Sequence, residues 1–152
     1  MATLYVAFKG EGNSSNKIVR HLSGDTLFLT NSYDGLKRDI ESIASDSDLN
    51  LPQYDLIYMF GVDKALKGNI RIEHVAQKGT ACLYSKIDLN LIIERLNKNG
   101  VAANIGNAPT RSLCNEAYWD MLKKYDCRAV FFHVPSVKYI TETFIERVKA
   151  AL

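Results

Sequence analysis

The chain has no surplus of charge of either sign. Over 152 residues, 19 Lys and Arg stand against 17 Asp and Glu, and the net +2 is spread along the sequence. No basic stripe therefore argues for nucleic acid or an anionic membrane surface. Nor does any apolar run approach the ~20 residues that a membrane span needs. The opening MATLYVAFKG has no basic n-region and only a short apolar stretch, so no signal peptide is expected. Cysteine is scarce. Cys82, Cys114 and Cys127 are an odd number without CxxC spacing, which argues against a disulfide framework or a zinc site and fits reduced thiols in the cytoplasm. Neither GxGxxG nor a P-loop follows the first apolar run, and Gly10-Glu11-Gly12 is too short to stand in for one. A nucleotide-binding doubly wound domain is thereby disfavoured. There is no internal repeat, low-complexity tract or linker. No cofactor, metal, nucleic acid or membrane partner is expected, and a homo-oligomer is left open.

What is present is an ordinary globular composition, 47% hydrophobic and 24% charged, long enough for one domain over residues 1–152 with a sizeable core. TLYVAF at 3–8 reads as a buried first strand. A capping-rich loop at 10–15 leads into a helix carrying Ile18, Val19 and Leu22 that stops at Gly24. DTLFLT at 25–30 is a second strand. Residues 34–45 follow as a helix with Leu36, Ile40 and Ile43 at helical spacing, then a polar loop at 46–50. YDLIYMF at 54–60 is a third strand, and Gly61 opens a loop to 69. Ile70-Arg71-Ile72-Glu73 alternates apolar and charged, so Arg71 and Glu73 share one face of a strand-like segment. Residues 78–85 carry no clear period. A helix at 88–99 puts Leu89, Ile92, Ile93 and Leu96 on one face before Gly100. A fourth strand at 101–105 and a closing helix at 140–152 complete the pattern. Strands alternating with amphipathic helices imply an α/β fold: a single-domain three-layer α/β/α arrangement, its largely parallel twisted sheet covered by helices on both faces. Function in such folds gathers beyond the carboxyl ends of the strands. Glu73, Cys114 and His133 follow or end the third, fourth and fifth strands, which predicts one shared edge.

Residues 107–134 hold the chemistry. Cys114 stands near the start of an amphipathic helix, and His133 near the end of the strand after it. From Cys114 to Tyr125 the helix climbs about 16 Å at ~1.5 Å per residue. From Arg128 to His133 the strand returns about 17 Å at ~3.3 Å per residue. Thiol and imidazole can thus end at one level, as a Cys–His hydrolase requires. A basic partner, more than the helix start at Pro109 and Thr110, is expected to lower the thiol pKa, so that Cys114 alkylates well below pH ~8.5. Each residue also has a plainer reading: a buried structural cysteine, a satisfied core histidine, a solvated carboxylate. Cys82, Cys127, His21 and His74 keep the plain reading, having no comparable setting. Glu73 gains interest as a third member that orients the imidazole.

APTRSLCNEAYW followed by FFHVP resembles the pyroglutamyl peptidase I family (pyrrolidone-carboxylate peptidases, a cysteine peptidase family). Leu113-Cys114-Asn115, Tyr118 and His133-Val134-Pro135 match that family's AG-x-x-[LV]-C-N and [FI]-H-V-P blocks. IRIEHVAQK is similar to I-x-x-E-R-V-A-I-N, and VAFKGEGNSSNK to a shortened G-F-x-P-F-G-G…N-P-S. The resemblance implies a Glu73–Cys114–His133 triad, and a hydrolase that removes N-terminal pyroglutamate from peptides. It implies substrate contacts at Phe8, Asn16 and Leu113. Lys67 falls on the arginine of the family's Gly-Gly-Arg, and Lys67 or Arg71 could join the Cys114 N–H in stabilising an oxyanion. The second phenylalanine of the opening block is missing, Pro109-Thr110 replaces Ala-Gly, and the long segment after the acid shrinks to 78–85. The alternative is a divergent member without pyroglutamyl peptidase activity, either acting on another small amide or serving as a non-catalytic binding module.

Overall fold

The computed structural model describes residues 2–43, 54–110 and 112–152. The expected polar loop at 46–50 lies outside them. Six strands form one sheet in the order β2-β1-β3-β8-β4-β7. They are β1 (Thr3–Phe8), β2 (Asp25–Leu29), β3 (Leu56–Val62), β4 (Ile70–Glu73), β7 (Ala103–Gly106) and β8 (Ala129–Val134). Neighbours run parallel except β4 against β8. The remaining strands, β5 (Val75–Lys78) and β6 (Ala81–Tyr84), make a separate antiparallel hairpin. It accounts for the stretch 78–85 that has no period. Gly79 takes φ +61° at its two-residue turn, a left-handed conformation that glycine adopts at least cost.

Side chains alternate across each strand, and the helices sort accordingly. Tyr58, Phe60, Ile72, Val130, Phe132 and Val134 point to one face, under α1 (Ser14–Val19), α3 (Leu89–Lys98) and α5 (Glu142–Ala151). Ile57, Met59, Ala129 and Phe131 point to the other, under α2 (Tyr33–Glu41) and α4 (Ser112–Lys124). This is the expected three-layer arrangement. Local capping fixes the helix starts: Asn13, Ser32, Asp88 and Thr141 each accept a backbone N–H in the first turn.

Several element boundaries differ from the sequence reading. The first helix ends at Val19 rather than before Gly24. The closing helix begins at Glu142 after a 3-10 turn at Val137–Tyr139. The third strand continues through Gly61 and Val62, because Gly61 pairs with His133 and Val62 with Val134. The partner strand supplies a register that the isolated glycine does not advertise. No described helix is long and apolar enough to cross a membrane.

Candidate active site

Register places the site. Gly61 of β3, His133 of β8 and Arg71 of β4 are Cα partners across three adjacent strands, so all three face the α4 side. Glu73 lies two residues from Arg71 and shares that face. Since β4 runs against β8, Glu73 is paired with Phe131. The expectation that Glu73 reaches the site from the shared carboxyl edge is thus corrected. It reaches His133 diagonally, from one side chain deeper in the sheet. The contact is direct: His133 Nδ1–H donates to Glu73 Oε1 at 2.8 Å, with the histidine 4% and the glutamate 1% exposed. His133 Nε2 is left free of hydrogen bonds among the described residues. β8 is flanked on both sides by β3 and β4. The imidazole is at the end of an inner strand.

Cys114 comes from above, in the first turn of α4. Its sulfur sits against Gly61: a Cβ built there would fall 2.9 Å from Sγ and 2.7 Å from Phe131 Cζ. A side chain at 61 would crowd the thiol out of its place against β3. Cys114 and His133 line one cavity of about 680 Å³, together with Asp63, Lys64, Arg71 and Ser112. The helix is anchored at two points. Tyr118 Oη donates to the Glu73 carbonyl at 2.9 Å. Asn115 exchanges two hydrogen bonds with the Gln77 backbone, at 3.0 and 2.8 Å, tying α4 to the hairpin.

The electrostatics run against one expectation. Burial first, and then the negative charges of Glu73 and Asp63, push the Cys114 thiol up to about 12. The cysteine is therefore a neutral thiol at rest, not a preformed thiolate. Asp63 is held below the usual carboxylate range, chiefly by the Ala65 N–H and then by Arg71.

Of the other candidates, only Arg71 lines the cavity. Phe8 and Asn16 are buried and bound to each other, Asn16 Nδ2 donating to the Phe8 carbonyl at 3.2 Å. They hold the end of β1 rather than the cavity wall. Leu113 packs against the core beneath α2 and α4. Lys67 is exposed and away from the cavity, where the adjacent cation is Lys64. Gly61, Asp63, Lys64 and Ser112 are not assigned to the site in the sequence reading. Its one usable signal was periodicity: 57, 59, 61 and 63 continue a single face once the strand is allowed past its glycine.

No protein-family model matches the chain. A curated pyrrolidone-carboxylate peptidase of Bacillus licheniformis is 27% identical over 85 residues, which is 53% of this chain and 38% of that relative. The match thus spans well under half the length of the relative. Among solved structures, the pyrrolidone carboxyl peptidase from Thermus thermophilus aligns over 98% of this chain and 97% of its own, with TM-score 0.81 and 14% identity. That from Thermococcus litoralis aligns over 99% and 90%, with TM-score 0.76 and 16% identity. Pyroglutamyl peptidase I of Bacillus amyloliquefaciens aligns over 99% and 96%, with TM-score 0.72 and 18% identity. The chain is therefore similar in sequence to a pyrrolidone-carboxylate peptidase and has the fold of the pyrrolidone carboxyl peptidases.

Proposed function

We propose that the chain is a cysteine hydrolase that cleaves an amide bond, with the N-terminal pyroglutamyl group of a peptide as its substrate. The observation that carries this reading is the cavity shared by Cys114 and His133, with the far nitrogen of the imidazole held by Glu73. The substrate is taken from the similarity to pyroglutamyl peptidase I. Free thiols at Cys82, Cys114 and Cys127 fit a reducing compartment such as the cytoplasm.

The neutral thiol decides how the first step runs. His133 Nε2 takes the Sγ proton as sulfur attacks the amide carbon, and the imidazolium is stabilised through Nδ1–H by Glu73. The Cys114 N–H, in the first turn of α4, has no intrahelical acceptor and can donate to the developing oxyanion. Nε2 returns the proton to the departing amine, leaving a thioester. Water, deprotonated at the same nitrogen, then releases the acid and regenerates the thiol.

A fluorogenic pyroglutamyl amide tests this. The wild type should turn it over and Cys114→Ala should not, with its circular dichroism unchanged. A wild type inert toward it removes the pyroglutamyl substrate. One observation favours a second substrate: apart from the His133 imidazole, no aromatic side chain among the described residues lines the cavity, and Phe8 is buried elsewhere. A more polar small amide fits such a wall, and turnover of one from a panel of N-acyl amides in place of the pyroglutamyl amide would select it.

A further inference from the structure

We infer that Arg71, anchored by Asp63, is a positioning residue of the amide-cleaving site: it fixes the Glu73 carboxylate that holds His133 and does not itself touch substrate. This rests on the hydrolase reading above and adds a residue pair to it. Arg71 Nε–H donates to Glu73 Oε1 at 2.7 Å, the same oxygen that accepts from His133, and Nη1–H donates to Asp63 Oδ2 at 2.8 Å.

Three features give the pair this task. First, Glu73 is almost wholly buried and its Oε2 has no partner among the described residues. A carboxylate so desolvated needs a charged donor to hold it in place, and Arg71 is the one cation side chain in contact with it among those residues. Second, the guanidinium crosses above β8. Arg71 stands on one flank of His133 and Asp63 follows the end of β3 on the other, where its N–H donates to the Val134 carbonyl at 3.0 Å. The pair ties both neighbouring strands across the end of the histidine strand. Third, the space is built for it. A Cβ at Gly106 would lie 2.7 Å from Glu73 Oε2 and 3.1 Å from Arg71 Cδ, so β7 closes on both side chains only because position 106 is glycine. Against substrate binding, two of the guanidinium nitrogens are already engaged, and one arginine between two carboxylates leaves no net positive charge for an oxyanion. A lysine could not span both acids with one fixed plane.

Steady-state kinetics of Arg71→Met, Arg71→Lys and Asp63→Asn would test the inference, alongside the proton spectrum of the His133 Nδ1–H in each protein. For Arg71→Met, kcat should fall about 100-fold, the scale of a misplaced catalytic group, with KM changed less than about threefold. Arg71→Lys should recover part of the loss, and Asp63→Asn should lose less than Arg71→Met. The downfield Nδ1–H resonance of the wild type should broaden or vanish in Arg71→Met while the circular dichroism stays native. A KM raised tenfold or more with kcat retained would make Arg71 a substrate ligand and overturn the inference. An unchanged Nδ1–H resonance in folded Arg71→Met would overturn it as well. The resonance needs no turnover, so an inert wild type removes the hydrolase reading while the spectrum still decides the role of Arg71.

Discussion

The two faces of β8 receive the same treatment from the chain and put it to opposite uses. Val130, Phe132 and Val134 enter a dry layer under α1, α3 and α5, where Phe60 and Phe132 stack with centroids 4.9 Å apart. Ala129, Phe131 and His133 enter the layer under α2 and α4. There the row Asp63, Arg71, Glu73 and His133 interrupts an otherwise apolar surface. One face needs only complementary volume. On the other, each buried polar group must find a partner in a fixed direction, which makes it chemically useful and less tolerant of change. A period of two separates the two roles, so adjacent residues such as Phe132 and His133 should fail in different ways.

Replacing Glu73 by Gln should give the largest effect, a fall in kcat of about 10²–10⁴-fold in pyroglutamyl amide turnover, since the imidazole loses the acid that orients it and stabilises its charge. The same change removes one of the two charges that push Cys114 up. The thiolate fraction at any pH below the raised value should increase, and iodoacetamide should label Cys114 faster at pH 8 than in the wild type. Slower or equal labelling would contradict the electrostatic account. In the wild type, labelling of Cys114 should keep climbing beyond pH 9, because its thiol titrates at about 12 rather than near the ~8.5 of a free thiol.

Phe132→Ala, on the dry face, should cost about 3–5 kcal/mol in urea denaturation, with the kcat of the remaining folded protein close to that of the wild type. A large fall in kcat without loss of stability would erase the distinction between the faces. The smallest effect on stability is expected where the faces' needs meet. Gly61→Ala puts a methyl 2.7 Å from Phe131 Cζ and 2.9 Å from Cys114 Sγ. Overpacking of this kind costs about 1–3 kcal/mol, and the thiol must shift within the cavity it shares with His133. A moderate drop in melting temperature should come with a disproportionate loss of turnover. Full activity in Gly61→Ala would mean that the thiol can reach the imidazole from elsewhere.

Much of the architecture was legible because it is local. Apolar runs such as LIYMF and the helical spacing of Leu89, Ile92 and Leu96 each report their own element. That Cys114 and His133 would line one cavity was legible too, since a helix and the strand after it retrace the same length. Phe8 and Asn16 were misplaced as cavity residues because a motif letter does not say which way a side chain turns at the end of a strand. Asp63 was overlooked because Gly61 reads as the end of its strand until a neighbouring strand continues the pairing.

By itself the sequence determined the layers and the convergence of Cys114 and His133 on one cavity, both set by periodicity and by distances along a single chain. Only the tertiary structure decided that β4 runs against β8, and so that Glu73 meets His133 from within the sheet with Arg71 beside it. It also decided that Cys114 rests as a neutral thiol. Strand direction and burial arise from contacts between segments far apart in the chain, and the field at a sulfur atom is the sum of charges that only folding brings together.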